Sequence, residues 1–297
     1  MRRAWVFNLD AEDELARGGT HTPSASMIER VESLLPRLSA LLRPGDLVIW
    51  PGNTTLDATF VGQAWCPTRW ALTQMQRAGV SLPRAPGVDV LRRVNHRRFS
   101  HALGQSLPHA GYAENQAEFA TLLVPSGHDW LLKRALGYAG RGRKKLRAGE
   151  ISAADQAWID ASLRSGDGLQ VEPWVERQLD CALHGWLDED GLCTWGQLTV
   201  QEVDAYGAWQ STRVAPGGTL SEAEHALMIS EAARGARALH GAGYFGPFGI
   251  DAFRWCEPGG ELRFQPLSEI NARYSMGWAI GMAPHPDPLP GGERETR

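Results

Sequence analysis

Gly243-Tyr244-Phe245-Gly246-Pro247-Phe248-Gly249-Ile250-Asp251 and, further along, Glu269-Ile270-Asn271-Ala272-Arg273 are the two stretches on which the reading turns. Residues 248–255 and 262–271 are apolar-rich runs on either side of Glu257-Pro258-Gly259-Gly260, a strand–turn–strand signal. Glu269 and Asn271 are two apart on a strand and so share a face. A turn centred near Gly260 sets Asp251 opposite Glu269. Asp, Glu and Asn supply hard oxygen donors. On a rigid sheet they suit Mg²⁺, which keeps waters and takes few carboxylates together with phosphate oxygens. Arg273 follows at once and offers a bidentate fork for a phosphate or carboxylate. The same alternation also describes a solvated strand face, so the hairpin alone leaves both readings open.

Upstream lie two further constellations. Trp130-Leu131-Leu132-Lys133 is an apolar strand ending in a lysine, and Gly137-Tyr138-Ala139-Gly140-Arg141-Gly142-Arg143 is a flexible basic loop after it. A lysine at a strand end can meet phosphates by charge while loop N–H groups close over them. A glycine-rich surface turn with solvated cations is the competing reading. Val171-Glu172-Pro173-Trp174-Val175, with Glu176 and Asp180 behind it, is a strand running into a connector. Backbone groups there can read an adenine edge and a carboxylate can accept ribose hydroxyls. An ordinary strand end fits the same residues.

The remaining chain sets the frame. Residues 5–9 read as a strand; Ser24 and Ser26 precede a helical pattern of Ile28, Val31, Leu34, Leu35, Leu38 and Leu41, with Pro36 inside it as a point for a kink. Residues 46–50 form a second short strand closed by Pro51-Gly52-Asn53, and a helix over 69–78 stops at Gly79. This order predicts a small parallel sheet. No GxGxxG follows the first strand and no GxxxxGK[ST] occurs, which removes dinucleotide and Walker-type readings. Helices are expected over 95–103, over 153–163 behind Ser152 and Asp155, and from the Ser221…Glu224 capping box to about 240. Strands are expected over 169–175, 179–187 and 192–203, the last two around Asp188-Glu189-Asp190-Gly191. The Pro- and Gly-rich residues 284–297 read as a disordered tail.

Composition bounds the function. The 297 residues are 43 % apolar and 22 % charged with net charge −4, values of a globular protein with one large domain or two modest ones. No apolar run approaches a membrane span, and the apolar start is too short for a signal peptide. The four cysteines are scattered without a CxxC pair, which fits a reducing cytoplasm. Mild acidity argues against general nucleic-acid binding. The nine histidines form no HExxH, and no GxSxG elbow occurs; His184 and Cys181 read as core residues. The only lysines are Lys133, Lys144 and Lys145, in a chain that otherwise uses arginine.

Taken in order, the basic residue, the lysine with its glycine loop, the acidic connector and the Asp…Glu-x-Asn-x-Arg hairpin resemble the ATP-grasp superfamily over about residues 94–282. The resemblance implies an α+β fold: a small α/β domain over 1–92, then a grasp over 93–283, split into a central subdomain (93–168) and a C-terminal subdomain (169–283). It implies Lys133 as phosphate-binding lysine, Gly140, Arg141 and Gly142 as the mobile phosphate loop, and Arg97 where members often carry a nucleotide-binding lysine. Glu172, Trp174 and Val175 fall at the adenine hinge, with Asp180 or Glu176 at the ribose. Asp251, Glu269 and Asn271 fall at the magnesium ligands, and Arg273, with Lys133, at the transferred phosphoryl group. The implied reaction is ATP-dependent activation of a carboxylate as an acyl phosphate, which an amine or thiol then attacks. The implied cofactors are ATP and two magnesium ions, for which manganese can substitute. The implied partners are small molecules, with neither nucleic acid nor membrane. A phosphotransferase on the same fold and a non-catalytic nucleotide-binding module are the alternatives. The substrates and the oligomeric state have no decodable pattern.

Overall fold

In the computed structural model, which describes residues 2–52, 54–104, 107–123, 127–138, 140–148, 150–203 and 209–283, the chain begins with strand β1 (Arg2–Val6). Helices α1 (Ala11–Arg17) and α2 (Ala25–Leu38), strands β2 (Leu47–Val48) and β3 (Phe60–Ala64), and helix α3 (Arg69–Ala78) follow. β1 lies between β2 and β3 and pairs with both in parallel, the small parallel sheet expected from the strand–helix alternation. The expected strand at 5–9 ends earlier, at Val6. Beyond it the Asn8 side chain donates to the Cys66 carbonyl (2.8 Å) and to Thr68 Oγ1 (3.0 Å), which pulls the chain out of the ladder. β3 was not legible because Gly62 interrupts its pattern. A Cβ there would sit 2.5 Å from Met75 Sδ, so the glycine is what lets α3 approach the sheet. Pro36 lies inside α2, whose pattern tightens into a 3-10 turn over Ser39–Leu41.

Helices α4 (Val88–Asn95) and α5 (Arg97–Leu103) come next. The single helix expected over 95–103 is broken at His96, which is extended (φ −75°, ψ 130°) and whose Nδ1 accepts the Arg98 N–H to cap α5. The break places Arg97 on the inside.

Strand β4 (Gly111–Ala113), helix α6 (Gln116–Leu122), strands β5 (Trp130–Arg134) and β6 (Arg143–Leu146), helix α7 (Ala153–Leu163) and strand β7 (Leu169–Pro173) build a second unit. Its four strands are antiparallel in the order β4-β7-β5-β6. Phe119, Leu132, Ile159, Leu169 and Val171 fill its own core. α7 starts with the expected capping box, Ser152 and Asp155 satisfying each other's backbone N–H groups.

The third unit is a five-stranded antiparallel sheet. It comprises β8 (Glu176–Leu187), β9 (Cys193–Val203), β10 (Trp209–Val214), helix α8 (Glu222–Gly241), β11 (Gly246–Cys256), β12 (Leu262–Asn271) and helix α9 (Trp278–Gly281). The order is β10-β9-β8-β11-β12. α8, opened by the Ser221–Glu224 capping box, packs on β12, β8 and β11. Gly235 makes this approach possible, since a Cβ there would lie 3.1 Å from Ile250 Cδ1. Ile250 and Ile270 are buried, and truncating either to alanine costs about 2–5 kcal/mol. One continuous core joins this sheet to the N-terminal unit: Trp5, Phe7 and Leu15 belong to the same cluster as Leu183, Ile250 and Tyr274. The expected tail from 284 onward lies outside the described residues.

Candidate functional site

The hairpin β11–β12 has the register read from the sequence: Asp251 opposite Glu269 and Gly249 opposite Asn271. Cross-strand neighbours share a face, so both carboxylates and the amide project to one side. Gln201 Nε2 donates to Asp251 Oδ1 (3.1 Å) and Asn271 Nδ2 to Asp251 Oδ2 (2.9 Å). Burial, and next to it the Glu269 charge, push the Asp251 carboxyl up to about 6. Two facing carboxylates that repel each other are a donor set that a divalent ion would relieve, so these residues fit such an ion. Among the described residues no group of three or more His, Cys, Asp and Glu could hold a metal. Two carboxylates and an amide are instead the sparse set that Mg²⁺ uses when waters and phosphates complete its octahedron.

Glu269 is also paired with Arg97, Nη1 to Oε2 2.5 Å. Arg97 is fixed by its own backbone N–H on the Ala135 carbonyl (2.9 Å) and its Nε on the Arg134 carbonyl (3.0 Å). Burial alone would raise Glu269, but Arg97, Arg143 and Lys133 hold it at about 2. Lys133 on β5 is 3 % exposed and pairs with Glu172 on β7 at 2.5 Å. Gln170 Nε2 gives Glu172 a second bond at 2.7 Å. Burial brings the Lys133 ammonium down to about 8 although Glu172 opposes it. Arg143 completes the group. Its Nε is buried without a partner among the described residues, and burial with the neighbouring Arg97 lowers its pKa. Sequence reasoning did not single out Arg143. The signal was present: pairing of β5 with β6 sets Arg143 directly opposite Lys133, on the same face.

Of these residues, Arg143 and Glu172 line a cleft of about 1250 Å³ between the two antiparallel sheets, and the others lie behind them. Gly140, Arg143, Glu172, Trp174, Val175, Glu176 and Asp180 line it. The expected strand 169–175 breaks after Pro173, and Trp174-Val175 form the connector into β8. The Trp174 N–H donates to the Asp129 carbonyl (2.7 Å). Lys145 lies over the Trp174 ring at 4.2 Å and pairs with Asp129 at 2.9 Å; Lys144 pairs with Asp155 at 2.7 Å. Asp180 faces Arg177 (2.7 Å), whose guanidinium covers the Phe253 ring at 3.9 Å. Glu176 accepts a bond from Gln178 (3.2 Å).

The expected loop resolves into separate parts. Gly140 (φ 79°) and Gly142 (φ 72°) occupy the left-handed region, where a side chain would be strained. Arg141 lies over the Tyr138 ring and is not among the cleft residues. Arg273 is 8 % exposed and pairs with Glu12 of α1 at 2.5 Å, so it links the hairpin to the N-terminal unit. Burial raises the Glu12 carboxyl despite that arginine. His184 lies in the same cross-strand row as Gly249 and Asn271, buried, with its pKa brought to about 4 by burial. Cβ atoms on Gly249, Gly277 or Gly281 would each sit 2.9 Å from its ring. Cys181 is buried and its thiol is pushed up to about 12, as an inert core residue would be.

No protein-family model and no curated protein matches the chain. Solved structures do. The chain is similar to biotin carboxylase from Campylobacter jejuni in its β,γ-ATP complex, with TM-score 0.57, 12 % identity, 97 % of this chain and 72 % of that one covered. N5-carboxyaminoimidazole ribonucleotide synthetase from Thermus thermophilus gives TM-score 0.51 and 18 % identity over 93 % and 72 %. The biotin carboxylase domain of Hydrogenobacter thermophilus 2-oxoglutarate carboxylase, with MgADP, ADP and bicarbonate, gives 0.51 and 15 % over 73 % and 51 %. In other matches the chain spans 54 % or 18 % of the partner's length. These likenesses are of fold, and the first two extend through the N-terminal sheet. Among the described residues no helix is long and apolar enough to cross a membrane.

Proposed function

From the ATP-grasp fold of this chain as premise, we propose that it is an ATP- and magnesium-dependent ligase that activates a carboxylate as an acyl phosphate and joins it to an amine, or to a thiol. The observation that carries the reading is the set Asp251, Glu269 and Asn271, in register on β11–β12, coupled through Arg97, Arg143 and Lys133 to the wall of the cleft. Glu172, Trp174 and Val175 hold the adenine, and Asp180 or Glu176 the ribose. Residues 1–92 are the preceding α/β domain, 93–168 the central and 169–283 the C-terminal subdomain.

The cations behind this wall are paired with carboxylates: Arg97 with Glu269 and Lys133 with Glu172. Phosphate oxygens offer Lys133, Arg97 and Arg143 better partners, charge-assisted and outside the carboxylates' mutual repulsion. Glu269, together with Asp251 and Asn271, would hold the metal. Magnesium bound there, as one ion or two and with manganese as a substitute, would neutralise phosphate charge. The protein's part is positioning and electrostatic stabilisation; no protein nucleophile is required. Gly140 and Gly142 give the loop its closing freedom, so that water is kept from the acyl phosphate. Arg273 reaches the transferred phosphoryl group once it leaves Glu12.

ATP turnover against a panel of carboxylates and amines tests the reading. A ligase makes a product that joins both substrates and requires both for full ADP release. A phosphorylated product that persists would replace the ligase reading with a phosphotransferase. ATP binding without turnover on any pair would leave only a nucleotide-binding module.

A further inference from the structure

β1 runs into an acidic segment, Asn8-Leu9-Asp10-Ala11-Glu12-Asp13-Glu14, of which the reaction above uses only Glu12, as the resting partner of Arg273. Asp10, Glu12 and Glu14 are buried to 3 %, 3 % and 4 % exposure. The segment is wedged against both halves of the phosphate site. Glu12 pairs with Arg273, and Asp13 accepts a bond from the Tyr138 hydroxyl (3.1 Å), the ring on which Arg141 lies. Glu14 accepts the Trp70 N–H at 2.9 Å. Asp10 Oδ2 pairs with His21 Nε2 at 2.9 Å, its Oδ1, like Glu12 Oε2 and Glu14 Oε2, is buried with no hydrogen-bond partner among the described residues, and its side chain does not cap α1.

Among the described residues, Asp10 is the only charged one lining a cavity of about 20 Å³ past the carboxyl ends of β1 and β2. That crevice is where parallel sheets receive ligands. The rest of the wall is apolar, with the indoles of Trp50 and Trp70 and the side chains of Met27 and Ile49 in it. A buried carboxylate oxygen left alone is costly. The space admits about one water-sized group. A carboxylate supplies charge and tryptophan rings can add cation–π attraction, whereas an anion would be repelled.

We infer that this cavity is a head-group subsite for a primary ammonium carried by the acceptor substrate. The word acceptor rests on the ligase reading; the cation subsite does not. The test is saturation-transfer NMR of the full chain with methylammonium, methanol and tetramethylammonium at fixed ionic strength. Methylammonium gives saturable binding, while neutral methanol and the oversized tetramethylammonium do not. Asp10→Asn weakens methylammonium binding at least tenfold, and Trp50→Leu weakens it severalfold. Equal signals from methanol, or unchanged binding by folded Asp10→Asn, overturn the subsite. Should Asp10→Asn fail to fold, the Trp50→Leu titration and the methanol comparison decide. Methylammonium binding without an MgATP thermal shift removes the ligase reading and keeps the subsite. An MgATP shift without methylammonium binding removes the subsite alone.

Discussion

Replacing Lys133 with methionine keeps its stem and removes the ammonium, which is 3 % exposed and 2.5 Å from Glu172. Glu172 then remains buried with Gln170 as its hydrogen-bond partner at 2.7 Å. Breaking a buried ion pair from one side costs about 3–5 kcal/mol. Arg97 and Arg143 still act on Glu172 through space, so the lower end, about 3 kcal/mol, is expected. Glu172→Gln alone strands the ammonium instead and costs a similar amount. The double variant Lys133→Met/Glu172→Gln removes both charges, and its stability returns to within about 1 kcal/mol of the parent, a coupling of about 5 kcal/mol. Urea unfolding of the four proteins measures this. ATP affinity behaves differently, because the phosphates need the ammonium. Lys133→Met and the double variant both lose about 10- to 100-fold, the equivalent of about 1.5–3 kcal/mol for a bond between charged groups. A single variant that loses under about 1 kcal/mol would refute the buried-pair argument. A double variant that regains both stability and nucleotide affinity would reduce Lys133 to a structural role.

Three further outcomes follow from the same geometry. Glu269 titrates at about 2 when folded against 4.5 unfolded, so its stabilisation is present above about pH 4.5 and is lost as pH falls through 2; Glu269→Gln removes up to about 3 kcal/mol of that slope in acid unfolding, and an unchanged acid limb would contradict the Arg97 pairing. Asp251 has the opposite sign: raised from 3.8 to about 6, it weakens the fold as pH climbs through that window, so Asp251→Asn stabilises the metal-free protein at pH 8 by up to about 3 kcal/mol while abolishing the magnesium effect on nucleotide binding. A destabilised, magnesium-responsive Asp251→Asn would overturn the site. Arg143→Met leaves stability within about 1 kcal/mol and weakens ATP about tenfold by calorimetry; no change in affinity would remove Arg143 from the phosphate group.

Where local chemistry dictated geometry, the chain was readable. Pro258-Gly259-Gly260 set the turn that places Asp251 on Glu269, and Ser221 with Glu224 set the start of α8. The apolar strand carrying Lys133 was equally plain, whereas the strand expected over 169–175 stops at Pro173. What escaped depended on contacts distant in sequence. β3 carries Gly62 for the sake of Met75, and nothing in its own pattern says strand. His96 breaks a helix that propensity would continue, because Arg97 is drawn to carbonyls of Arg134 and Ala135. Arg141 and Arg143 alternate across a hairpin, and without its register the exposed one looked as good as the inward one. The pairing of Arg273 with Glu12 joins residues from opposite ends of the chain, which no local pattern announces.

The central claim is that the cleft seats MgATP with Asp251, Glu269 and Asn271 on the metal. Thermal unfolding with nucleotide and magnesium varied independently tests it most directly. At about 100-fold excess over Kd, binding adds about 2.7 kcal/mol, a rise in Tm of about 5 °C for a chain of this size. The account predicts that rise with ATP and Mg²⁺ together, a much smaller one with ATP alone, and no magnesium dependence in Glu269→Gln. No shift at millimolar MgATP, or a full shift in Glu269→Gln, would contradict it.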